Sequence, residues 1–213
     1  MSATPIPRFV LPGSWGRVDL SSEASSRRSI RKIAEAATNR RDDLAPMRAD
    51  LRDRFQTAAD LAREGGASDL YVAFELTKGV PLPAWLTVFQ PDIESTDFAA
   101  LGIKELSTVL DQAAKTPDER VTETRSELED GAIHAVRQTW RRQTHASEGE
   151  GENHVEETFE ILEADYWLAA SNPNRIALMT FSTAYAEYEE EMLGLFDAVI
   201  NTIRWPAPVP IEV

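Results

Sequence analysis

The 213 residues carry 36 Asp and Glu against 22 Lys and Arg, a formal charge of −14, with 42% hydrophobic residues and no cysteine. That apolar content is enough for a core, and the missing cysteines exclude a disulfide framework, a thiolate nucleophile and a thiolate metal site. The acidity speaks against phosphate backbones and anionic lipid as partners, so no nucleic acid is expected. Met1 to Pro12 lack a basic start and an apolar centre, and no run approaches the ~20 apolar residues of a span, so a cytoplasmic protein without membrane insertion is expected.

In chain order, Arg8–Leu11 reads as a strand that Pro12-Gly13 breaks and Trp15–Leu20 resumes. Ser21 and Ser22 offer caps for a helix with Ile30, Ile33, Ala34 and Ala37 on one side and Arg27, Arg28, Arg31 and Lys32 in its early turns. A second helix starts at Asp42 or Asp43, because Pro46 is tolerated only in a first turn. Its stripe is Leu44, Met47, Leu51, Phe55, Ala58 and Ala62, and Gly65-Gly66 ends it. Two apolar strands follow: Leu70, Val72, Phe74 and Leu76 share a face of the first, and Trp85, Thr87 and Phe89 alternate with Leu86 and Val88 in the second. Lys78–Pro83 joins them as a loop, since its two prolines cannot serve a central strand. Ser95, Thr96 or Asp97 caps a third helix with the stripe Phe98, Leu101, Leu106, Val109 and Leu110, closed by Thr116-Pro117.

A meander comes next. Asp130-Gly131 is a two-residue hairpin turn that sets Leu128 opposite Ile133, Glu127 opposite His134 and Val121 opposite Trp140. Residues 146–153 read as a flexible acidic loop, because alternating Gly and Glu supply neither apolar surface nor stiffness. Val155–Ala170 is extended again, with Phe159 and Ile161 on one face, and Asn172-Pro173-Asn174 turns the chain. Ile176, Leu178, Thr180 and Ser182 then alternate with Ala177, Met179 and Phe181 in a last strand. From Tyr185 a helix carries Tyr188, Met192, Leu195, Phe196, Val199, Ile200 and Ile203, with Glu187 and Glu189–Glu191 at its start, and Pro206 stops it.

Unevenly placed helices among runs of strands predict an α+β protein: one domain over 1–213, an antiparallel sheet of about six strands with helices on its faces, and a short Pro-rich tail at 206–213. The ending Ile176–Thr183, then Leu195–Ile200 and Thr202–Trp205, resembles the C-terminal strand and helix of the PsbP-like families, and Arg8–Pro12 with Trp15 is similar to their opening strand. The resemblance implies an α/β/α sandwich and a non-catalytic accessory or assembly role, and supplies no site residue.

Charge is split along the chain. Residues 1–65 hold 12 Lys and Arg against 9 Asp and Glu, net +3, and the remainder 10 against 27, net −17. Arg27, Arg28, Arg31 and Lys32 are neighbours at helical spacing, a compact basic patch suited to an acidic protein partner or to the acidic face of a second copy in a homodimer. The opposing reading is that they neutralise carboxylates of their own domain. With the PsbP-like ending and the polar meander, the split charge points to a protein-binding accessory or adaptor of a bacterial cell, of the kind linked to secretion or toxin–immunity systems. Two alternatives stand beside it. One is a pocket for a small apolar ligand lined by Trp85, Phe89, Trp140 or Trp167. The other is a metal-dependent enzyme using His145, His154, Glu150 and Glu152, whose imidazoles and carboxylates are acceptable zinc ligands. His134 opposite Glu127 is a further acid–base candidate. No phosphate-binding glycine loop, Gly-x-Ser-x-Gly elbow or His-Glu-x-x-His helix occurs, so a non-enzyme without cofactor is expected.

Overall fold

The computed structural model describes residues 7–38, 41–90, 108, 121–128, 133–148, 155–171 and 174–205. The chain is an α+β protein whose described strands pair antiparallel. It divides into two compact units, Leu11–Asp92 and Met1–Val10 together with Ile93–Val213. Among the described residues no helix is long and apolar enough to cross a membrane.

In the first unit β1 (Ser14–Asp19), α1 (Glu23–Ala37) and α2 (Ala45–Glu64) are followed by β2 (Ala67–Thr77), β3 (Val80–Pro81) and β4 (Ala84–Phe89). β2 is central, with β1 on one side and β4 on the other. The predicted loop at 78–83 contains the two-residue β3 paired to the end of β2, where Pro81 interrupts nothing. Val18, Leu70 and Val72 of the sheet pack on Ile30 and Ile33 of α1 and Phe55 and Ala59 of α2, with Leu51, Ala58, Ala62, Phe74 and Trp85 around them. Met47 departs from the predicted stripe and is exposed, because α2 turns toward the core only from Leu51 onward.

Of the predicted broken strand, the resumed stretch is β1, from Ser14, whereas in place of a strand at Arg8–Leu11 Arg8 makes an isolated bridge with Arg204. Between them Gly13 adopts φ +82°, and the Trp15 indole N–H donates to the Pro12 carbonyl at 2.7 Å. A Cβ on Gly13 would lie 2.2 Å from the Glu75 carbonyl oxygen and 2.7 Å from that of Leu76. Both obstacles are backbone of β2 and cannot rotate aside. Gly13→Ala should therefore cost about 2 kcal/mol in urea unfolding, and an unshifted midpoint would show that the turn does not hold β1 in register.

In the second unit β5 (Val121–Leu128), β6 (Ile133–Glu148), β7 (Val155–Ser171) and β8 (Asn174–Thr183) form a meander in sequential order, followed by a 3-10 turn at Ala186–Tyr188 and α3 (Glu189–Ile200). Alternate residues face α3: Ala135 and Thr139 of β6, Leu162, Ala164, Tyr166 and Leu168 of β7, and Ala177, Met179 and Phe181 of β8, all buried. Phe196 of α3 stacks on Phe181 at 4.5 Å, and Tyr166 meets Phe181 edge-on at 5.6 Å.

Several expectations are corrected in this unit. Leu128 does pair with Ile133, but the ladder shifts between Arg125 and Leu128. Val121 therefore opposes Thr139, not Trp140, while Glu127 and His134 both fall at that irregularity. The acidic loop at 146–153 is shorter than its composition suggests, since Ala146, Ser147 and Glu148 continue the ladder opposite Glu157, Glu156 and Val155. A hairpin already many rungs long extends by one backbone pair at a time, and those bonds do not depend on apolar side chains. The last helix ends at Ile200, well before Pro206, because Thr202 and Ile203 turn back on Val199 and Ile200 and Arg204 exchanges two 2.8 Å backbone bonds with Arg8. Tyr188, predicted on the apolar stripe, lies in the 3-10 turn and is exposed. The predicted third helix near 95–117, the turn residues 130, 131, 172 and 173 and the tail 206–213 lie outside the described residues.

Candidate functional site

The basic patch is built by the way α1 is anchored to β1. Ser22 caps the helix, its hydroxyl accepting from the Ser25 N–H at 3.1 Å. The buried Ser26 hydroxyl donates to the Asp19 carbonyl at 2.8 Å, and the Ser29 hydroxyl accepts from the Asp19 N–H at 3.1 Å. With Ser26, Ile30, Ile33 and Ala34 turned inward, the 3.6-residue period leaves Arg27, Arg28, Arg31 and Lys32 outward, and all four are exposed.

Their electrostatic states differ. Arg27 pairs with Glu23 one turn earlier. Arg28, Arg31 and Lys32 make no hydrogen bond or ion pair with the described residues, although Arg28 lies close enough to Asp19 to help keep that carboxyl ionised. Asp19 itself is held below the usual carboxylate range chiefly by hydrogen bonds from the Ser21 hydroxyl and N–H. Two shallow grooves flank the patch, one lined by Glu23, Ala24, Arg27, Arg28 and Arg31, the other by Arg17, Asp19, Ser25, Arg28, Ser29 and Lys32 with Ile33 at its floor. Arg17 is already committed, its guanidinium 2.5 Å from the buried Asp69. The surplus positive charge of the second groove therefore comes from Arg28 and Lys32, with Asp19 offsetting part of it. Such a surface can receive carboxylates from a partner; the serines beside it are spent on holding the helix.

Arg17, Asp19, Ser25 and Ser29 were not singled out from the sequence. The available signal was the run of serines from Ser21 to Ser29, but only the approach of β1 to α1 shows which of them border a groove.

The other candidates fare differently. His145 is on β6 opposite Thr158 in the backbone ladder, while His154, Glu150 and Glu152 lie outside the described residues. Among the described residues no group of three His, Asp or Glu is placed to hold a metal ion. His134 opposes Ala169 on β7. Trp85 is half-buried against Phe55, edge-to-face at 5.4 Å, as part of the first unit's core, and Phe89 is half-buried on β4. Trp140 and Trp167 lie on β6 and β7 of the second unit, half-buried.

Two polar clusters in the second unit escaped the sequence reading. On the sheet face away from α3, Glu163 is bonded by Arg142 at 3.0 Å and Asp165 by the Thr180 hydroxyl at 2.6 Å. Burial pushes the Glu163 carboxyl up, against the pull of Arg142. On the opposite face Asp197 of α3 takes the Arg137 guanidinium at 2.9 Å and the Tyr166 hydroxyl at 2.7 Å. Burial, and then the Asp197 charge, push the Tyr166 phenol up. In both clusters the carboxylates already have partners, the Arg137–Asp197 pair buried and the Arg142–Glu163 pair with its arginine exposed, whereas Arg28, Arg31 and Lys32 of the α1 patch make no ion pair among the described residues.

The class defined by these features is an α+β protein with an exposed cationic helix face. No protein-family model matches the chain, and no curated protein matches it.

Proposed function

We propose that the chain is a non-catalytic accessory or adaptor domain that holds an acidic protein partner against the outer face of α1. The observation that carries this reading is the exposed, uncommitted charge of Arg28, Arg31 and Lys32 in a chain of formal charge −14, where carboxylates for internal pairing are abundant. Of the four cations, only Arg27 forms an ion pair among the described residues, while Arg28 lies near Asp19 without one. The resemblance of the chain's ending to PsbP-like domains, most of them accessory factors, supports the same reading.

Exposed charges of this kind act on encounter rate and register more than on the depth of the energy well. Reversing Arg28, Arg31 and Lys32 to Glu should leave the fold intact, since each change falls on solvated surface, where about 0.5 kcal/mol is usual. Capture of the partner from the native cell, read by quantitative mass spectrometry, should drop about tenfold or more, and wild-type capture should weaken as salt shortens the screening length. Equal capture by the folded variant and the wild type would remove α1 as the binding surface.

A further inference from the structure

Two sets of charge stay unpaired on the described surface, one on each unit, and they match in spacing while opposing in sign. On α1, Arg28, Arg31 and Lys32 stand at positions i, i+3 and i+4, which brings helical side chains to one face. At the start of α3, Glu187, Glu190 and Glu191 stand at the same i, i+3 and i+4 spacing, across the 3-10 turn and the first helical turn. All six are exposed, and none of their side chains makes an ion pair or hydrogen bond among the described residues; Arg28 has Asp19 nearby without a pair. Exposed charges of this chain do pair locally elsewhere: Arg27 with Glu23, Arg54 with Asp50, and Glu189 with Arg141. The two triads are what that pairing leaves over. Beside the carboxylates Tyr188 is 53% exposed, its ring edge-on to Tyr185 at 5.9 Å. A tyrosine ring among glutamates offers a guanidinium both a π face and acceptors, and Tyr and Arg are enriched where proteins meet. The dipole of α3 favours carboxylates in its first turn and leaves them open to cations from outside.

We propose that the acidic partner held by α1 is the start of α3 on a second copy of this chain, an inference that rests on α1 being the binding face and names its occupant. Arg28, Arg31 and Lys32 of one copy meet Glu187, Glu190 and Glu191 of the other, with Tyr188 against an arginine. Charge complementarity selects this pairing: three cations meet three carboxylates, whereas α1 against α1 or α3 against α3 would bring like charges together. Exposed pairs are weak one by one, so the association is concentration-dependent and screened by salt. Each copy carries both triads, so the mass rises above one chain whether the contact closes into a dimer or continues from copy to copy.

A charge swap tests it. Light scattering at rising protein concentration should show a mass above one chain in about 0.1 M salt and one chain in about 1 M, as the screening length falls from ~10 Å to ~3 Å. Reversing α1 (Arg28→Glu, Arg31→Glu, Lys32→Glu) or α3 (Glu187→Arg, Glu190→Arg, Glu191→Arg) should each weaken association about tenfold or more. Mixing the two reversed chains, or placing both reversals in one chain, should restore it, which neither damage to the fold nor loss of the α3 dipole interaction can do. If the α3 reversal does not fold, Glu→Gln at 187, 190 and 191 keeps the side-chain shapes without adding repulsion and should still weaken association several-fold. A mass of one chain at every concentration overturns the proposal. So does association that survives either reversal of a folded chain, or that the mixture fails to restore. The wider reading of α1 is judged apart from this: if the chain is always single but wild type captures another protein that the α1-reversed chain does not, α1 binds with a different occupant. Capture untouched by that reversal removes the α1 surface as well.

Discussion

Replacing Phe196 by alanine should destabilise the protein by about 3–5 kcal/mol, a large part of the ~5–15 kcal/mol that a domain usually has. Phe196 is fully buried and stacks at 4.5 Å on Phe181, which in turn receives the edge of Tyr166. Truncation removes the burial of an aromatic ring and leaves a void against Phe181, in a core whose close packing lets the neighbours relax only in part. Phe196→Leu, which keeps most of the volume, should lose less. Urea denaturation gives both values, and an alanine variant within about 1 kcal/mol of wild type would mean that α3 does not close this core.

Asp197→Ala should cost about 3–5 kcal/mol for a different reason. Its carboxylate receives Arg137, whose side chain is 6% exposed, and the Tyr166 hydroxyl. Removing it leaves a cation in a place where water is scarce, and that penalty exceeds the value of the pair itself. Tyr166→Phe removes the hydroxyl's bonds to Asp197 and Arg137 but leaves the ion pair, so it should cost only about 1–2 kcal/mol. A similar loss in the two variants would show that burial of Arg137 is not the controlling term. The same site gives a pH dependence. An unfolded tyrosine ionises near 10.0, whereas burial and Asp197 keep the folded Tyr166 protonated above that. The folded state then holds the extra proton, and stability should fall as pH rises past 10, a decline that Tyr166→Phe should reduce.

How much of this could be read beforehand depends on the range of the forces involved. The inward set Ala177, Met179 and Phe181 was legible because a two-residue alternation is written into neighbouring positions. The outward placement of Arg27, Arg28, Arg31 and Lys32 was legible for the same reason at a period of 3.6, with Ser22 fixing where the count begins. Asp197 was not. It falls between Phe196 and Ala198 on a helix that reads as amphipathic, and its partners Arg137 and Tyr166 are 60 and 31 residues away. The length of the β6–β7 hairpin was hidden too, because Ala146, Ser147 and Glu148 have a loop's composition and are held in the ladder by the strand opposite.

The amino-acid sequence by itself determined the α+β class, the antiparallel meander from β5 to β8, the cap and inward face of α1, and the basic patch, since each rests on periodicity or on bonds a few residues long. Only the tertiary structure decided which charges are spent and which remain. Arg17, Arg137 and Arg142 are consumed by Asp69, Asp197 and Glu163, which approach them from other elements, while Arg28 has Asp19 nearby without an ion pair and Arg31 and Lys32 meet no such carboxylate among the described residues. Pairing of that kind is set by distance in space, and Coulomb attraction between side chains carries no mark of their separation along the chain.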